Sequence, residues 1–140
     1  MKRSPEKLKS KKLFQIGIRS GTRKEFEEIT KNDRLIKHKK GEKAKHLKNR
    51  LKRYLGKPIY LSIDLDWFDP SIMPGTGTPE PGGYFWDDFA NIIEVLKEHK
   101  IVAADIVELA PQLDPSGISS ILAAKVTRTL LMLMSISIDL

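Results

Sequence analysis

Apolar positions along the chain change their period several times, and each change marks an element. Leu13-Phe-Gln-Ile-Gly-Ile18 alternates and is rich in β-formers, which predicts a strand ending near Arg19. Ser20-Gly-Thr22 reads as a loop, and Thr22 followed three residues later by Glu25 has the spacing of a capping box. A short helix to about Ile29 is expected next, and residues 31–41 show no usable period. Ala44, Leu47, Leu51 and Leu55 recur at three and four, predicting a helix over 42–55 with a narrow buried stripe, stopped by Gly56-Lys-Pro58. Pro58–Ile63 is almost continuously apolar, as in a strand covered on both faces. Phe89, Ile92, Ile93, Val95 and Leu96 give the inner side of a helix over 85–99, residues 101–109 form a further strand, and residues 118–134 a long apolar helix. The order β-α-α-β-loop-α-β-α predicts an α/β fold: a parallel sheet with helices on both faces, in three layers.

Between the second strand and the helix at 85 lies a segment that no period describes. Residues 69–83 contain four prolines and four glycines, so they form one long loop. Loops of that length inside a domain are uncommon and are often functional. Just before it stands Ser62-Ile-Asp-Leu-Asp66. Residues two apart on a strand share a face, so Asp64 and Asp66 should project together at the strand's C-terminal end, where parallel sheets bind ligands. Two adjacent carboxylates repel, and a hard dication compensates them best; an oxygen or oxygen/nitrogen shell suits Mn2+ or Mg2+. The pair alone leaves helix caps, solvated acids and the Asp-x-Asp motifs of dehalogenase-type phosphatases and nucleotide-sugar transferases open. A calcium loop of the EF-hand type is excluded, because Asp69 and Gly75 stand where it requires Gly and Glu.

Composition narrows the class. The 140 residues are 40% hydrophobic and 31% charged, ordinary for a globular domain, and the absence of cysteine excludes disulfides, thiolate-bound zinc and a cysteine nucleophile. The basic start, residues 1–12, leads into no apolar run of the secretory type, and the densest apolar stretch, 130–134, is too short to span a bilayer. A cytoplasmic protein with no membrane association is expected. The net charge of +7 is uneven: residues 31–53 hold eleven Lys/Arg against two acids, or +9, which leaves −2 elsewhere. This basic surface segment could meet phosphates, but it lacks interleaved aromatics and any nucleic-acid motif, so a solvated face is expected and nucleic acid is not.

The run from Ser62 to Gly83 closely resembles the ureohydrolase (arginase/agmatinase) signature, S-x-D-x-D-x-x-D-P-x-x-x-P-G-T-G-T-P-E-x-G-G. Gly17-Ile-Arg-Ser-Gly-Thr22, Ala104-Asp-Ile-Val-Glu108 and Asp114-Pro-Ser-Gly-Ile118 resemble further segments of that family in the same order, so the resemblance runs from about residue 12 to 134. Pro74-Gly75 and Pro79-Glu80 resemble agmatinase-like members more than arginases proper. The resemblance implies the C-terminal half of the arginase-like fold and hydrolysis of a guanidinium group, agmatine giving putrescine and urea, with arginine or guanidinobutyrate as other guanidino substrates. Asp64 would bridge two Mn2+ ions and Asp66 would bind one. Glu108 would accept hydrogen bonds from the guanidinium, and Thr78 would line its pocket. Asp69 would hold the loop backbone, and Ser20 would face the far end of the substrate.

The family's G-G-D-H and D-A-H-x-D segments do not occur in these 140 residues, and His38, His46 and His99 stand in no such pattern. All three histidines are expected on the surface, and no catalytic acid or base is assigned. The chain is therefore expected to be one incomplete domain, inactive alone, that self-associates as a homo-oligomer or pairs with a complementary N-terminal half. A non-catalytic oligomerisation or regulatory role is the competing expectation. Trp67, Phe68, Tyr84, Phe85 and Trp86 would form the cleft wall or a contact patch.

Overall fold

Two parallel strand pairs share a single hydrophobic core in the computed structural model, which describes residues 13–36, 40–41 and 43–136. The first pair joins β1 (Gln15–Ile16) to β2 (Leu35–Ile36) across helix α1 (Arg23–Lys31). Helix α2 (Lys45–Leu51) and a 3-10 turn (Lys52–Tyr54) follow. The second pair joins β3 (Ile59–Asp64) to β4 (Ile101–Val107) across helix α3 (Trp86–Leu96), and helix α4 (Ile118–Ile136) closes the described chain. Both pairs are parallel β-α-β arrangements, their strands joined through a crossover helix.

α1 begins as its sequence dictates. The Thr22 hydroxyl accepts the Glu25 N–H and the Glu25 carboxylate accepts the Thr22 N–H, which satisfies two of the helix's free donors. α3 is held at its start by Asp88, a buried carboxylate that accepts the Phe85 N–H at 3.0 Å and the Gly41 N–H at 2.7 Å. Asp114 does the same for α4, accepting the Ser116 and Ser119 N–H groups and the Ser116 hydroxyl. These hydrogen bonds, led by that of the Ser116 hydroxyl, lower its pKa to about 2.

The core gathers Leu47 and Leu51 of α2, Phe89, Ile92, Ile93 and Leu96 of α3, and Ala123, Val126, Leu130 and Leu133 of α4. Ile59, Leu61 and Ile63 of β3 and Ala104 and Ile106 of β4 press one face of the sheet against it. Tyr60, Ser62 and Asp64, with Asp105 and Val107, lie on the other face; there the Tyr60 and Ser62 hydroxyls both donate to the Asp105 carboxylate.

Several expectations need correction. β3 is covered on one face only among the described residues, and Tyr60 remains 61% exposed. The unassigned segment 31–41 contains β2, whose two residues are too few to show a period. Leu55 is exposed, because the helix tightens into a 3-10 turn after Leu51 and carries Leu55 off the buried stripe. Arg34, within the basic segment, is buried and lies 3.6 Å from Glu28. His46 is exposed, but His99 is 2% exposed behind α3, and burial lowers its pKa. His38 lies outside the described residues. The apolar stretch near residue 130 belongs to a 19-residue helix of mean hydropathy 1.3, long and apolar enough by length and composition to cross a bilayer. Its Ala123, Val126, Leu130 and Leu133 are in the core.

Candidate active site

The pairing of Asp64 and Asp66 does not arise from a strand. β3 ends at Asp64, and Leu65–Trp67 turn immediately into a 3-10 helix for which Asp64 is the N-cap. Asp64 Oδ1 accepts the Asp66 N–H at 3.0 Å, an Asx-type turn of the kind aspartate favours. Leu65, between them, is fully buried and anchors the turn in the core. The two carboxylates thus meet across a tight turn rather than by strand alternation, and their backbone is far less free than a strand end would be.

Each carboxylate then has its own surroundings. Asp66 Oδ2 accepts the Thr78 hydroxyl at 2.7 Å, which joins the turn to the Gly-Thr-Gly-Thr part of the loop. Asp66 Oδ1 is buried and has no hydrogen-bond partner among the described residues. Asp64 is exposed as a residue, yet protein around its carboxyl raises its pKa by desolvation, helped by the Asp66 charge and opposed by the Asp66 N–H and Arg19.

Glu108 follows the last residue of β4 and has φ +68°, in the left-handed region that residues with a Cβ seldom occupy. Such a conformation costs on the order of 1–3 kcal/mol and is found where a side chain has to be aimed. It turns the Glu108 carboxylate toward the loop: a Cβ on Gly77, next to Thr78, would lie 4.0 Å from Glu108 Oε2. One loop limb thus meets Asp66 through Thr78 and lies beside Glu108 at Gly77, and Asp64 is tied to Asp66 through the turn.

The loop itself is tied at several points. Asp69 accepts the Ser71 N–H and hydroxyl with one oxygen and the Gly82 N–H with the other, and these bonds lower its pKa. Phe68 and Tyr84 form a bridge between the loop's two ends, where backbone bonds run from Asp69 N to Tyr84 O and from Tyr84 N to Trp67 O. The Gly75 N–H donates to Ser119 of α4 at 2.8 Å, and the Gly75 carbonyl accepts the Ala110 N–H. Trp67 stacks on Tyr84 with centroids 4.4 Å apart, Phe68 is buried, and Phe85 and Trp86 stay partly exposed. Ser20 is exposed, and its neighbour Arg19 makes the contacts instead. Arg19 was within a motif segment but carried no local signal of its role, since its partners are 47 to 61 residues away.

A divalent cation matches the chemistry of these oxygen donors, and the unpaired, buried Asp66 Oδ1 is the atom most in need of one. The set is too small: among the described residues no group of three or more His, Cys, Asp or Glu side chains converges on a metal position. A complete two-metal shell therefore does not fit the described residues.

The fold thus defines an α/β protein that sets a carboxylate turn at the C-terminal end of a parallel strand, against a Pro/Gly-rich loop and a glutamate of positive φ. The model of the arginase family matches residues 1–133, and the chain belongs to that family. It is 37% identical over 122 residues to an agmatinase of Halalkalibacterium halodurans, covering 86% of this chain and 42% of that protein. It is 34% identical over 134 residues to the agmatinase of Bacillus subtilis, covering 94% and 46%. Among solved structures, the agmatine ureohydrolase of Thermoplasma volcanium superposes with TM-score 0.71 at 30% identity, covering 98% of this chain and 47% of that one. Proclavaminate amidino hydrolase from Streptomyces clavuligerus superposes with TM-score 0.74 at 28% identity, covering 91% and 44%. The chain thus spans less than half the length of the relatives it matches.

Proposed function

We propose that this chain provides the guanidinium-recognising part, and two of the metal carboxylates, of a manganese ureohydrolase of the agmatinase kind. The observation that carries this is the Asp64–Asp66 turn hydrogen-bonded to Thr78, with Asp66 Oδ1 buried and unpaired and Glu108 beside the neighbouring Gly77. In this reading Asp64 and Asp66 face the metal side. Glu108 takes the guanidinium, whose planar fork of donors suits a carboxylate, and Thr78 lines the pocket. The reaction adds water across a guanidinium C–N bond and releases urea and an amine; for agmatine the amine is putrescine. Agmatine is preferred over arginine or guanidinobutyrate because the resemblance in the loop is to agmatinases. The remaining ligands and the acid/base group come from the part of the relatives' length that these 140 residues do not cover, and the complete enzyme is a cytoplasmic oligomer. The 140 residues alone are inactive.

Titrating the isotope-labelled chain with agmatine tests recognition separately from turnover. Amide resonances of Gly77, Thr78 and Glu108 should shift together and saturably. Shifts confined to other parts of the chain would refute the site. Urea release from agmatine and Mn2+ by the purified chain at an enzyme-like rate, about 1 per second or faster, would refute its inactivity.

A further inference from the structure

Strand β1 leads into a strap that grips the carboxylate turn. Gly17, with φ +79°, lies so close to Trp67 that a Cβ there would come within 2.3 Å of the indole Nε1. Two residues on, the Arg19 guanidinium donates to three backbone carbonyls: Asp66 at 2.7 Å, Trp67 at 3.0 Å and Glu80 at 2.9 Å. Two of these acceptors belong to the turn that holds Asp66, and the third to the far limb of the loop that holds Thr78. Thr78 joins that limb to the turn directly through Asp66, and Arg19 bridges the two from the strap.

We propose that Arg19 is the positioning residue of this site, its guanidinium fixing the Asp66 turn and the Thr78 limb in a single arrangement. A planar fork with donors on two nitrogens can satisfy three carbonyls at once; an ammonium group is a compact point charge and cannot reproduce that geometry. Gly17 makes the approach possible, because any side chain at that position would push the strap away from Trp67. The clamp stands on these contacts alone; its importance for guanidinium binding rests on the ureohydrolase reading.

The test uses the full chain with Trp86→Phe, which leaves Trp67 as the only tryptophan, and adds Arg19→Lys or Arg19→Gln. Exchange of the hydrogen-bonded amides of Asp66, Phe68 and Gly82 should accelerate at least tenfold in both variants, and Trp67 emission should shift to the red. Exchange in β4 and α4 should stay unchanged. Lysine behaving like arginine would show that charge alone suffices and would overturn the clamp, as would unchanged exchange in both variants. Equal acceleration throughout the chain would reduce Arg19 to a general stabiliser and also overturn it. Should neither variant fold, the unmodified chain still decides the matter. Its Arg19 Nη protons should be resolved and slow to exchange, and a freely rotating guanidinium would refute the proposal. In the folded variants, agmatine should saturate the Thr78 and Glu108 shifts only at tenfold or higher concentration. If agmatine causes no shifts in the unmodified chain, the guanidino reading fails while the exchange data still judge the clamp.

Discussion

At the scale of single residues, the site is built against stability. Asp64 ionises in partly desolvated surroundings beside a second carboxylate, so its folded-state pKa lies above its unfolded value. For an acid shifted in that direction, folding is penalised as pH rises through the folded pKa, and the penalty is absent below the unfolded value near 3.9. Asp64→Asn keeps the oxygen that accepts the Asp66 N–H and removes the charge. Urea denaturation of the metal-free chain at pH 7 should therefore find the variant more stable than the parent, with the difference shrinking as pH is lowered toward 4. A variant less stable at pH 7 would mean that the charge is compensated within the chain. Glu108 fits the same pattern through its backbone: an exposed residue keeps a left-handed conformation where its carboxylate lies beside Gly77.

Elements decide how those residues are presented. The 3-10 turn after β3 is held by one apolar anchor, Leu65, placed between the two acids and fully buried. Removing most of that side chain leaves a cavity directly beneath the site. Leu65→Ala should cost about 2–5 kcal/mol in denaturant unfolding. A loss below about 1 kcal/mol would show that the turn is held by its hydrogen bonds and not by the core. The loop behaves as an extension of its flanking elements, with Asp69 tying its ends and Ser119 of α4 tying Gly75. Four prolines and four glycines in fifteen positions make it legible as a loop, but the bonds that place it reach across 12 to 61 residues and leave no periodic trace.

For the whole molecule, the uncovered surface is the dominant feature. β3 and β4 pair only with each other among the described residues, so each has an open edge, and Tyr60, Val102 and Val107 are substantially exposed beside them. On α4, Ile121, Leu131 and Met132 are each more than half exposed. A chain that spans less than half the length of its relatives, with edges and apolar residues left open, should associate. Sedimentation equilibrium of the purified chain should give a concentration-dependent mass above the 15.9 kDa of one copy. A sharp monomer across the concentration range would show that these surfaces are tolerated in water.

The sequence by itself determined what local chemistry encodes. α1 with its capping box, strands over 58–63 and 101–109, helices over 85–99 and 118–134, the long loop and the family signature were readable from period, punctuation and motif, each to within a few residues of the observed bounds. Tertiary structure alone decided the rest. It joined Asp64 to Asp66 through a turn instead of a strand face and gave β1 a two-residue partner in an unreadable segment. It also buried His99 and Arg34 and drew Arg19 onto Asp66, Trp67 and Glu80. The physical reason is one of range. Helix and strand periods are set by neighbours a few residues apart, whereas a guanidinium meeting carbonyls 47 to 61 residues away is placed by the packing of separate elements against one core.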